Sequence, residues 1–199
     1  CPPSTGLLTS APIYDSHTLW DLLEGLVADR GDQPMLIDDT DRIVTFAEVR
    51  DRAERAAAGF ADFGVGEGTP VTWVLPTRIE TIVVSLALSR LGAVQNPIIH
   101  IYREREVGFC IRQTTAEMVL VPGEWNGFDY TAMVEAATAS LDEPPKILEA
   151  YHDLPDGDPD TLDPVSAPPT GGDPIRWVYY TSGTTSDPKG AMHTDATLI

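Results

Sequence analysis

Short apolar runs alternate with segments of helical period over residues 34–150, and this alternation constrains the fold more than any other feature of the chain. Val71-Thr-Trp-Val-Leu75, Ala93-Val-Gln-Asn96, Glu117-Met-Val-Leu-Val121 and Lys146-Ile-Leu-Glu-Ala150 have the length and composition of strands, and Pro76 and Pro97 stop the first two. Between them, residues 78–91, 104–113 and 128–140 read as helices. Strands separated by helices are expected to lie parallel, with helices covering both faces of the sheet. The expected class is therefore α/β, with a mostly parallel sheet.

The elements ahead of this core carry clear local signals. Thr18 can cap a helix whose Leu19, Trp20, Leu22, Leu23, Leu26 and Val27 recur at helical spacing, and Gly31 ends it. Residues 34–38 and 42–45 read as two short strands around an Asp/Thr turn. Thr45-Phe-Ala-Glu48 has the capping-box form, and Phe46, Val49, Ala53, Ala56, Ala57 and Phe60 follow on one helical face. Arg50, Arg52 and Arg55 occupy the other side, as a solvated face would require. In the helix at 78–91, Ile79, Ile82, Val83, Leu86 and Leu91 are expected to point inward, and Gly92 is its stop.

Composition shifts once. Residues 153–174 hold six Asp, six Pro and three Gly but no Lys or Arg. Such a stretch is expected to form an exposed, mobile loop with little apolar anchorage. The expected organisation is an extended segment at 1–17, an α/β subdomain at 18–152, this loop at 153–174, and the start of a second subdomain at 175–199.

Charge and cysteines exclude several classes. The net charge of −18 argues against a nucleic-acid surface, which needs clustered Lys and Arg. Cys1 and Cys110 make no disulfide framework, and Cys110 sits in an apolar setting that suits an inert thiol. His17, His100, His152 and His193 show no paired ligand spacing, so no metal site is read. Apolar runs are too short for a membrane span and no basic, apolar leader opens the chain, which leads us to expect a cytoplasmic protein. The chain opens on Cys1 and stops at Ile199 in mid-pattern, so we expect it to be part of a longer protein.

Function points to residues 180–190, Tyr-Thr-Ser-Gly-Thr-Thr-Ser-Asp-Pro-Lys-Gly, which follow the strand-like run 175–180. Gly183 lets the backbone turn its N–H groups toward an anion. The hydroxyls of Thr181, Ser182, Thr184, Thr185 and Ser186 can donate to phosphate oxygens, and Lys189 adds a mobile positive charge. Only two lysines occur in the chain, Lys146 and Lys189, and one of them stands here. Pro188 and Gly190 exclude a Walker A loop, which needs glycine and Ser/Thr at those places.

The stretch resembles the phosphate-binding signature of the AMP-forming adenylating enzymes, the superfamily of acyl-CoA synthetases and peptide-synthetase adenylation domains. Ser186 stands where that signature has glycine. Thr45-Phe-Ala-Glu48, Val65-Gly-Glu-Gly68, Val74-Leu-Pro-Thr-Arg78 with Glu80, and Leu91-Gly-Ala-Val94 with Asn96-Pro97 are similar to successive landmarks ahead of it. Residues 96–106 are similar to members that activate fatty or alicyclic acids. The resemblance implies an acyl-CoA synthetase-like large domain that uses ATP, Mg2+ and coenzyme A as co-substrate, with a small carboxylic acid as partner. It implies that Thr181, Ser182, Gly183, Thr184, Thr185, Ser186 and Lys189 hold the triphosphate, with Lys189 and Thr185 in the catalytic roles and Thr185 nearest the α-phosphate. The family often has a second histidine after this loop, where this chain has His193-Thr194-Asp195, so His193 is expected to be structural. The adenine-binding and ribose-binding segments of such enzymes, and their carboxy-terminal lysine, lie downstream of the matching region. A peptide-synthetase adenylation domain and a nucleotide-binding module without catalysis are the alternatives. A dinucleotide-binding oxidoreductase is disfavoured, because Gly64, Gly66 and Gly68 precede a strand rather than a helix.

Overall fold

The computed structural model of the chain describes residues 16–165, 173–181 and 188–199. Helix α1 (Leu19–Arg30) opens on Thr18, whose hydroxyl accepts from the Asp21 amide at 3.0 Å. Strands β1 (Pro34–Ile37) and β2 (Ile43–Thr45) form an antiparallel pair of their own. Helix α2 (Phe46–Asp62) carries the expected capping box. The Thr45 hydroxyl accepts from the Glu48 amide at 3.2 Å, and the Glu48 carboxylate accepts from the Thr45 amide at 2.8 Å.

The core then runs β3 (Pro70–Trp73), α3 (Ile79–Arg90), β4 (Val94–Pro97), α4 (Glu104–Thr114) and β5 (Met118–Val121). The short strands β6 (Glu124–Trp125) and β7 (Phe128–Asp129) precede α5 (Tyr130–Thr138) and β8 (Lys146–Glu149). Strands β9 (Trp177–Thr181) and β10 (Lys189–His193) complete a six-stranded sheet in the order β10-β9-β4-β3-β5-β8. Every neighbouring pair in it is parallel except β9 with β10. This is the expected α/β class. Residues 177–181 and 189–193 extend this sheet beyond β4.

Two apolar clusters show why both faces are covered. On β5, Met118 and Leu120 join the cluster built with α1, α2 and α3, while Val119 and Val121 join the one built with α4 and α5. The strand is buried along its whole length, so it reads as a continuous apolar run and not as an alternation.

Three expectations need correction. The helix read over 128–140 begins at Tyr130, because Phe128 and Asp129 pair back onto Glu124 and Trp125. Asn126 and Gly127 make that turn with φ of 50° and 72°, the left-handed pair that a primed hairpin turn needs. The inward face of α3 is also different. Ile79 and Val83 are buried, but so are Val84, Ala87 and Leu88, while Ile82, Leu86 and Leu91 are only half-buried. Packing against α1 and α2 as well as the sheet covers more of its circumference than one stripe.

The third correction concerns the Asp/Pro-rich stretch. Over 153–165 it is a strap held against α2 and α3, and 166–172 lie outside the described residues. Leu154 and Leu162 pack on the first cluster, which supplies the anchorage that composition hides. The Gly157 amide donates to the Arg55 carbonyl at 2.9 Å, and the Asp163 carbonyl accepts from Arg90 at 2.9 Å. Main chain meets main chain here. A Cβ on Gly59 would fall 2.5 Å from the Pro155 carbonyl carbon, and one on Gly157 would fall 2.7 Å from that of Ala58. Arg55, expected to be merely solvated, reaches the strap at Asp156, 2.5 Å away, and Arg50 pairs with Glu24 at 3.0 Å.

Candidate functional site

β9 enters the sheet beside β4 in parallel, so its end at Thr181 lies at the carboxyl edge of the sheet. Crevices outside that edge are where open α/β sheets bind ligands. β10 returns antiparallel, and its first residue, Lys189, is the direct partner of Thr181. Of the predicted phosphate-binding residues, the structure thus brings Thr181 and Lys189 together across one hairpin. Both are exposed. Ser182, Gly183, Thr184, Thr185 and Ser186 lie outside the described residues.

The hairpin is tied to the body at both ends. Before β9, the Arg176 guanidinium donates to the Glu67 carboxylate at 2.6 Å and to the Gly92 carbonyl, and the Gln95 amide donates to the Arg176 carbonyl at 2.7 Å. At the strand's start the Trp177 indole N–H donates to Asp195 Oδ1 at 2.8 Å, and Asp195 Oδ2 accepts the Leu19 amide at 3.2 Å. Asp195 is buried between them. The residue standing where a second histidine was sought is therefore a structural acceptor that joins α1 to β9. His193 sits beside it with its ring edge-on to Tyr179 and Nδ1 3.3 Å from the Thr197 hydroxyl, in keeping with a structural part.

On the opposite face of β9, the Tyr180 hydroxyl donates to Gln113 Oε1 on α4 at 2.6 Å. Phe109 meets the Tyr180 ring edge-on at 6.5 Å between centroids. Burial pushes the Tyr180 hydroxyl up to about 12, so it remains a donor at neutral pH. Cys110, fully buried on α4, is likewise pushed up to about 12, chiefly by burial, and carries no thiolate at neutral pH. It is not a nucleophile. The tethers Arg176, Trp177, Asp195 and Gln113 escaped the sequence reading, since no local pattern marks a partner so far along the chain.

A cavity of about 430 Å³ lies at the other end of the sheet, among Gly66, Gly92, Arg90, Leu162 and Arg176. These residues precede strands or follow helices at the amino edge, so the cavity does not adjoin the Thr181–Lys189 end. Among the described residues no three His, Cys, Asp or Glu side chains converge to hold a metal ion, and no helix is long and apolar enough to cross a membrane.

The mostly parallel sheet flanked by helices, with the β9–β10 hairpin at its edge, defines an α/β protein. The profile of the AMP-binding enzyme family matches residues 23–199, and the chain belongs to that family. It is 27% identical over 177 residues to 3-hydroxybenzoate–CoA ligase of Aromatoleum sp. strain CIB, covering 84% of this chain and 32% of that protein. It is 27% identical over 157 residues to the long-chain-fatty-acid–CoA ligase FadD13 of Mycobacterium tuberculosis, covering 78% of this chain and 30% of that one. The fold is shared with the anthranilate CoA ligase AuaEII, solved in complex with anthranoyl-AMP, at a TM-score of 0.74 and 22% identity over 93% of this chain and 36% of that chain. The chain spans about a third or less of the curated relatives it matches.

Proposed function

We propose that this chain is the triphosphate-binding part of an ATP-dependent, AMP-forming ligase. In this reading a carboxylate oxygen attacks the α-phosphorus of ATP, the bond to the β-phosphate oxygen breaks, and pyrophosphate leaves. The sulfur of coenzyme A then attacks the acyl carbon, and AMP leaves. The observation that carries the reading is the pairing of Thr181 with Lys189 across the hairpin at the carboxyl edge of the sheet, within a sequence of hydroxyls and glycine. Lys189 supplies a positive charge that offsets charge building on the departing pyrophosphate. The hydroxyls of Thr181, Ser182, Thr184, Thr185 and Ser186, with the Gly183 backbone, hold the phosphates, and Thr185 serves the α-phosphate. The Mg2+ that accompanies ATP is given no ligand from this chain. Fatty or alicyclic acids are the proposed substrates, on the similarity of residues 96–106 to members that activate them, and coenzyme A is the proposed acceptor.

Exchange of labelled pyrophosphate into ATP by the full-length protein, across fatty, alicyclic, aromatic and amino acids, tests this reading. Thr185→Ala removes a hydrogen bond to a charged oxygen, worth roughly 1.5–3 kcal/mol or about 10- to 150-fold, and Lys189→Ala is expected to slow exchange at least as much. The 199-residue chain alone is expected to give no exchange. Unimpaired exchange in both variants overturns the assigned roles. Transfer to a carrier-protein thiol in preference to coenzyme A would favour the peptide-synthetase alternative.

A further inference from the structure

The distal half of β9 has few attachments. Gln95 with Trp177 is the register pair that joins β9 to β4. The next residues of β4 are Asn96 and Pro97, and Pro97 has no N–H to continue the ladder. From Val178 to Thr181 the strand is paired with β10, itself exposed along nearly its whole length. Among the described residues, one side-chain hydrogen bond links this distal half to the rest of the protein, from Tyr180 to Gln113. Tyr180 immediately precedes Thr181, and Gln113 lies in the last turn of α4.

We propose that the Tyr180–Gln113 hydrogen bond is a tether that fixes the hairpin end bearing Thr181 and Lys189 over the carboxyl edge of the sheet, making both members positioning residues for Thr181 and Lys189. Besides its pairing with β10 and the packing of the Tyr180 ring on Phe109, the half-strand is held to the body at Trp177. A shift of about 1 Å in a group that orients a reactant is enough to slow a reaction about 100-fold. Loss of one weakly shielded hydrogen bond shifts the average position less, so a smaller effect is expected. The inference rests on the ligase reading for its kinetic consequence, but not for its structural one.

Two measurements on the full-length protein keep those apart. Tyr180→Phe deletes the hydroxyl and keeps the ring against Phe109, Gln113→Leu deletes the acceptor, and Gln113→Glu restores one. Amide hydrogen exchange, which needs no activity, should quicken at residues 178–181 and 189–192 in Tyr180→Phe and Gln113→Leu, with α4 and β3 unchanged. Pyrophosphate exchange should fall about 3- to 10-fold, the net worth of one hydrogen bond, in kcat more than in KM for ATP. The double variant should be no slower than either single one, because both remove the same contact. Gln113→Glu should regain most of the rate, and Tyr179→Phe, one residue away on the other face, should change neither readout. Unaltered amide exchange in the hairpin, or additive losses in the double variant, overturns the tether. Quickened amide exchange in the two variants, with no pyrophosphate exchange by the unsubstituted protein, leaves the tether standing and removes the ligase reading instead.

Discussion

The strap at 153–165 and the hairpin of β9 and β10 invert what their sequences advertise. The strap is built from Asp, Pro and Gly, yet it seats Leu154 and Leu162 on the core and presses its main chain against α2. The hairpin carries the most specific sequence in the chain, yet β10 is exposed residue after residue and Met192 is 68% exposed. Stability and chemistry are thus separated in space. The strap closes the body, and the hairpin projects Thr181 and Lys189, the proposed phosphate-binding residues, from it.

Substitutions can break this contrast. Gly157→Val should cost about 3 kcal/mol or more, since its Cβ meets backbone that cannot swing aside. Its urea midpoint should drop sharply, and a midpoint like that of the parent would mean that the strap stands off α2. Leu162→Ala removes part of a half-buried side chain and should cost about 1–2 kcal/mol. The same titration should show equal m-values, with only the midpoint moved. At the other extreme, Met192→Ala should change stability by no more than about 0.5 kcal/mol, because its side chain faces solvent. A larger loss in thermal unfolding would place a packing partner on β10 and erase the distinction.

Legibility in the sequence follows the range of the forces involved. Thr18 and the Thr45–Glu48 box could be read because a cap bonds within three residues of itself. The parallel class could be read because strand and helix periods are local. Asn126-Gly127 was an equally local signal for the β6–β7 hairpin, overlooked because the strands it joins have two residues each. The strap was misread for a different reason. Composition averages over twenty-two residues, whereas the seating of Leu154 and Leu162 depends on a groove supplied by α2 and α3. At the candidate site, residue chemistry singles out Thr181 and Lys189 as phosphate-binding candidates, and their direct pairing needed the register. The tethers through Asp195 and Gln113 join residues 176 and 67 positions apart, and no window of sequence holds both partners.

The bond from the Leu19 amide to Asp195 also has a consequence in time. The chain's first helix receives this contact from a residue synthesised 176 positions later. At roughly 5–20 residues per second, that is an interval of about 9 to 35 seconds. During it α1 can pack on α2 and α3, while the Leu19 amide at its amino end bonds water. Closing so long a loop is slow, because its entropy cost precedes the contacts that offset it. The segment that carries Thr181 and Lys189 thus reaches its place by the same step that gives the Leu19 amide its acceptor.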